Sequence, residues 1–122
     1  MEITLHTETA IDASHYLKGY DGNCKNIHGH TWFLEVWIKG DSSQVDEVGI
    51  LFDFGNVKQI KEVFDHKLIN EIKPFDKINP TAENLSECIY TTLKSSNEEL
   101  QFKIRLYETK VGKDTWCEVG DF

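Results

Sequence analysis

Four of the five histidines stand at spacings that suit metal binding with proton transfer beside it. His28 and His30 flank one glycine, and Cys24 lies just upstream in the run Cys24-Lys25-Asn26-Ile27-His28-Gly29-His30. Residues two apart in an extended strand share a face, roughly 6.5 Å from each other. Two imidazoles held that way can converge on one ion at about 2.0–2.1 Å each. The nearest upstream histidine, His15, offers a third nitrogen. Three nitrogens leave one coordination position open, the pattern of a catalytic zinc, whereas Cys24 as a fourth ligand would close a structural site. Spacing alone leaves both arrangements open.

Three further groups bear on proton chemistry. A thiol close to a cation or imidazolium ionises more readily and becomes reactive, which suits Cys24 to proton transfer; it could equally be a small buried residue. In Asp65-His66 a carboxylate sits next to an imidazole, the pairing that turns histidine into a general acid or base. The same two residues could simply terminate a surface helix. Glu108 continues the inward register of an apolar strand, and a buried carboxylate needs a partner. It could accept two parallel N–H bonds from a guanidinium-like edge, or fray into solvent. His6 and Asp53 read as structural: a polar strand residue and a helix-entry cap.

The elements that must carry these groups are legible in the apolar periodicity. Thr31 to Lys39 gives the strongest strand signal, with Trp32, Leu34, Val36 and Ile38 on one face. Extending that register backwards puts His30 and His28 on the same face. Ile3 to Thr9 reads as an earlier strand, and Ile11 to Ile27 as a loop holding His15 and Cys24. Val57, Ile60 and Phe64 mark a short amphipathic helix ending near Phe64. Asn79-Pro80-Thr81 opens a second helix, with Asn79 or Thr81 as its cap. Leu85, Cys88, Ile89, Thr92 and Leu93 form the inner face of that helix, and Ser95-Ser96-Asn97 end it. Leu100 to Thr109 alternates cleanly, and about Thr115 to Gly120 makes a last strand. Strands at both ends with helices between predict an α+β fold: a four-stranded antiparallel sheet in ββααββ order, with two helices on one face.

The 122 residues suffice for one domain spanning 1–122. A formal charge of −8 argues against nucleic acid or an anionic membrane as partner. Three cysteines form no disulfide framework, Cys88 and Cys117 reading as core, and the N-terminus lacks a signal-peptide pattern. Both features point to a reducing, cytoplasmic setting. No apolar run approaches the roughly 18 residues that a membrane span requires.

Taken in order, Ala13-Ser14-His15, Cys24-x-x-x-His28-Gly29-His30, Gly49-Ile50-x-x-Asp53-Phe54, Asp65-His66-x-x-x-Asn70, Pro80-Thr81-x-Glu83-Asn84 and Glu108-Thr109 resemble the 6-pyruvoyl-tetrahydropterin synthase / 6-carboxytetrahydropterin synthase family. The resemblance implies a tunnelling fold whose subunits close their sheets into a trimeric barrel, two of which stack. It implies zinc on His15, His28 and His30, Cys24 as catalytic thiol, Asp65 and His66 as proton relay, and Glu108 with Thr81 at the pterin. It also implies a site shared between subunits, and a pterin triphosphate as substrate. Lys18, Lys25 and Lys113 are the candidate cations for that polyanion. Ser14 and Phe64 depart from the family's usual Ala and Leu without touching this chemistry.

Overall fold

The alternation around Trp32–Ile38 becomes the centre of one mixed sheet. A computed structural model describes residues 1–110, 112 and 114–122; Lys113 lies outside them. Strand β1 spans Glu2–His15 and pairs antiparallel along its whole length with β2, His28–Asp41. Helix α1 covers Gly55–Phe64, a two-residue strand β3 covers Lys67–Leu68, and helix α2 covers Ala82–Ser96. Strands β4 (Gln101–Thr109) and β5 (Thr115–Gly120) complete the order β3-β1-β2-β4-β5.

Two expectations need correction. The sheet has five strands instead of four, and it is mixed, because β3 pairs in parallel with Ala13 and Ser14 of β1. A two-residue strand has no periodicity to detect. The first strand also runs six residues past Thr9, so His15 belongs to β1 and not to a loop. Its inward face continues through Ile11 and Ala13, and polar His15 at the end hides the pattern.

The helices cover one face of the sheet, α1 over β1 and α2 over β4 and β5. Leu34, Val36, Ile38, Phe102 and Ile104 are wholly buried there, against Val57, Ile60, Phe64, Leu85, Ile89 and Leu93 from the helices. Each fully buried side chain of this size contributes about 1.5–3 kcal/mol by leaving water. Cys88 and Cys117 are half-buried rather than fully internal, Cys88 packing at the margin of this core. Thr81 caps α2 by accepting a hydrogen bond from the Asn84 N–H, which resolves the choice between it and Asn79. Asp53 accepts from the Gly55 N–H at the start of α1.

The C-terminus is tied back through one carboxylate. Asp121 accepts from the Phe102 N–H at 2.8 Å, the Lys94 ammonium at 3.2 Å and the Tyr90 hydroxyl. The chain reaches this position because residue 120 is glycine: a Cβ there would lie 2.6 Å from the Phe102 carbonyl oxygen. Burial opposes the charged form of Asp121, yet the Tyr90, Phe102 and Lys94 donors hold its pKa below the usual carboxylate range. A carboxylate depressed in this way stabilises the fold above its unfolded pKa, near 3.9, and loses that contribution as pH falls through the folded value. Asp121→Asn should therefore cost about 1–3 kcal/mol at neutral pH, and the gap to the parent should narrow below about pH 4. Denaturant melts at pH 7 and pH 3 measure this, and an equal gap at both would refute the ionic role.

Candidate metal centre and active site

Three imidazoles meet at the end of the core-facing side of the sheet. His15 is directly opposite His28 in the β1–β2 ladder, and Ala13 is opposite His30. One nitrogen from each ring lies within 4.8 Å of the others, and the ring centres are 4.6, 4.9 and 5.2 Å apart. Trp32, one step inward on β2, forms their floor, with its ring edge-on to His15 and His30 at 5.0 and 5.2 Å.

Hydrogen bonds to the main chain fix two of the rings. His15 Nδ1 donates to the Pro80 carbonyl at 2.8 Å, and His28 Nδ1 to the Asn26 carbonyl at 2.7 Å. Those bonds leave each Nε2 as the lone-pair nitrogen. His15 Nε2 and His30 Nε2 are buried and have no hydrogen-bond partner among the described residues. Buried polar atoms are almost always satisfied, so an unpartnered pair facing a third imidazole fits a divalent cation well. Burial holds both His15 and His30 below the ordinary histidine pKa; neighbouring rings add to this, against the opposing pull of Glu108. Neutral imidazole is the form that ligates metal.

Glu108 follows the inward face of β4 as its register predicts, and its carboxylate stops 3.4 Å from His30 Nε2. That separation is not an aligned hydrogen bond, so the carboxylate keeps its acceptor capacity. Cys24 sits half-buried in a single 3-10 turn, Asn23–Lys25, outside the set of converging donors. The closed site with sulfur as fourth ligand is therefore not formed within this chain.

Asp65 and His66 do touch. His66 Nδ1 is 3.0 Å from Asp65 Oδ2, while Asp65 Oδ1 accepts the Asp12 N–H at 2.9 Å. The bond from the Asp12 N–H is the main cause of the low Asp65 pKa, with His66 adding to it. His66 adopts a left-handed backbone, φ 59°, and its N–H is held by the Asp12 carbonyl. A non-glycine residue pays about 1–2 kcal/mol for that conformation, which orients its largely exposed ring. The pair is mounted beside Asp12 and does not join the three histidines within this chain.

Lys18 bonds the Asp76 carbonyl, and Lys25 closes the Cys24 turn. The sequence did not single out Lys58 and Lys61, which line a groove of about 460 Å³ with Phe54 and Asp65. Nothing in their residue type or spacing marks a groove. His6, read as structural, bonds Glu35 on the opposite face of the sheet at 2.9 Å; Glu8 stands close by and is paired with Lys110.

The model of the family described as 6-pyruvoyl tetrahydropterin synthase matches residues 4–119. The chain belongs to this family. A Haemophilus influenzae relative named 6-carboxy-5,6,7,8-tetrahydropterin synthase is 33% identical, over 91% of this chain and 94% of its own. The 6-pyruvoyl tetrahydrobiopterin synthase of Dictyostelium discoideum is 34% identical over 73% of this chain and 69% of its own. Among solved structures, the 6-pyruvoyl tetrahydropterin synthase of Caenorhabditis elegans superposes with a TM-score of 0.72 at 25% identity, covering 98% of this chain and 96% of that one.

Within this pterin synthase family member, the triad is the part whose geometry can be tested without substrate. Zinc titration should saturate at one ion per chain with a chelator-competed affinity that His28→Ala or His30→Ala weakens more than about 100-fold, beyond the 10–100-fold typical of losing a supporting group. Unchanged affinity in either variant would remove that ring from the centre.

Proposed function

We propose that residues 1–122 form one zinc-dependent 6-carboxy-5,6,7,8-tetrahydropterin synthase domain. Its substrate is 7,8-dihydroneopterin triphosphate, and it releases acetaldehyde and triphosphate on the route to the 7-deazaguanine of queuosine. The observation that carries this reading is the buried triad with two unpartnered Nε2 atoms beside a half-buried carboxylate. The name of the Haemophilus influenzae relative supports the 6-carboxy branch. The Dictyostelium discoideum relative supports the alternative, a 6-pyruvoyl synthase that eliminates triphosphate and keeps the carbons.

His15, His28 and His30 hold the zinc ion. When bound, it supplies Lewis-acid stabilisation of negative charge on side-chain oxygens of the substrate. Glu108 accepts the 2-amino and N3–H edge of the pterin through its carboxylate oxygens, one of which stands 3.4 Å from His30 Nε2. Thr81 assists from the start of α2; its oxygen accepts from Asn84, leaving its O–H free to donate. Cys24 exchanges a proton with the substrate side chain. His66, its Nδ1 held by Asp65, exchanges another through Nε2. As the resemblance implies, the site is completed between subunits in a trimer or a pair of stacked trimers, a reading supported by the separation of these groups within one chain. Soluble cytoplasmic enzyme is the corresponding setting; no helix among the described residues is long and apolar enough to cross a membrane.

Incubation of purified protein with dihydroneopterin triphosphate should release acetaldehyde with triphosphate; triphosphate without acetaldehyde would establish the 6-pyruvoyl branch instead. Cys24→Ala should keep zinc and fold while turnover falls at least about 100-fold, the lower range for a general acid–base group. Loss of zinc together with stability would point to a structural site. Glu108→Gln should raise KM about tenfold or more with the metal retained, as expected for losing charge-assisted bonds. Unaltered KM would exclude Glu108 from the pterin pocket.

A further inference from the structure

The stretch just after His15 is paired like a strand on both sides, although no strand lies on one of them. On the β2 side, the Leu17 N–H donates to the Cys24 carbonyl at 2.8 Å, across the connection between β1 and β2. On the other side, β3 stops at Leu68 and the chain turns away through a 3-10 turn, Ile69–Glu71. Two side-chain amides take over there. Asn70 accepts the Tyr16 N–H through Oδ1 and donates from Nδ2 to the Tyr16 carbonyl, both at 3.0 Å. Asn79 does the same for Lys18, both bonds at 2.9 Å. Residues 16 and 18 of an extended chain present N–H and C=O to the same edge, while residue 17 faces the opposite one. The three residues follow that alternation.

An asparagine amide carries one acceptor oxygen and two N–H donors, and so can reproduce the donor and acceptor of a peptide unit. We infer that Asn70 and Asn79 are positioning residues: their amides substitute for a neighbouring strand along Tyr16–Lys18 and thereby fix both His15 and the turn that carries Cys24. This rests on the metal and thiol roles proposed above. Asn70 is buried, 6% exposed, with both ends of its amide satisfied, so it acts on the residue next to the metal arm. Asn79 is anchored by its own carbonyl, which accepts from Asn84 Nδ2 at 2.9 Å. The next carbonyl, Pro80, holds His15 Nδ1. The segment before α2 thus holds His15 through Pro80 and braces the 18–24 loop through Asn79 and Lys18.

The amide chemistry gives a specific test. Aspartate has nearly the same shape but no N–H, and would set a carboxylate oxygen against a carbonyl. Both Asn→Ala and Asn→Asp should therefore fail in the same way. In Asn70→Ala and Asn70→Asp, zinc affinity measured by chelator competition should drop about 10–100-fold, the range for a group that orients a ligand. In Asn79→Ala and Asn79→Asp, native-state trypsin cleavage after exposed Lys18 should rise on the order of tenfold, as should alkylation of Cys24 in metal-free protein, reflecting a lost bond pair. Global melts should stay within a few degrees for the half-buried Asn79 site. Parental cleavage and alkylation in both Asn79 variants would overturn the inference, as would parental zinc affinity in a folded Asn70 variant. Should the parent chain bind no zinc, the metal reading fails on its own, and the protease and alkylation results still decide this one.

Discussion

Two buried histidine nitrogens without a protein partner are the constraint around which the chain is arranged. Leaving a polar atom unsatisfied in an apolar interior costs roughly 1–3 kcal/mol, so His15 Nε2 and His30 Nε2, which lack a hydrogen-bond partner among the described residues, call for a ligand at this place. The surrounding structure preserves that condition. Pro80 and Asn26 occupy the opposite nitrogens of His15 and His28, which prevents either ring from turning to relieve the pocket. Trp32 fills the space beneath, and Glu108 approaches His30 without an aligned hydrogen bond. The hydrogen bonds and packing around the rings hold the site ready.

That readiness depends on joining two layers. The sheet supplies the three rings by simple alternation, but the sheet end is where hydrogen-bonding partners run out. The turn before α2 answers this: within three residues, Asn79, Pro80 and Thr81 serve the loop, the ligand and the helix cap in turn. Helix packing on the core and ligand orientation therefore share one short segment. The apolar face of α2, through Leu85, Ile89 and Leu93, seats that segment against the sheet.

The periodicity that the core imposes was readable wherever an element was long and apolar. Thr31–Lys39, the two helices and Leu100–Thr109 emerged with bounds close to those observed, because burial on one face demands the pattern. The inward aim of Glu108 followed from the same logic. Pattern failed where the buried face is not plainly apolar or the element is too short. The last third of β1 keeps a buried face through Ile11, Ala13 and His15, but the polar ring hides it, and β3 consists of a bridge too short to show a period. In the site, residue types with metal chemistry stood out, whereas main-chain carbonyls and amide side chains did not. Pro80 acts through an atom that every residue possesses, and Asn79 looked like a helix cap. The meeting of Asp65 with Asp12 spans 53 positions, a distance that local sequence cannot bridge.

Strand β1 carries both chemistries on one unbroken ladder. Asp12, whose backbone grips Asp65 and His66, precedes His15 by three residues, about 10 Å of extended chain. Fourteen consecutive pairings with β2 leave that segment no slack to stretch or slide. Insertion of a single residue between the two positions would not merely lengthen the spacing. It would invert the facing of everything beyond it, sending the imidazole out of the core and an aliphatic or polar neighbour in. The interval from the proposed relay to the proposed ligand is thus quantised in steps of two residues, and this part of the chain can change its side chains far more freely than its length.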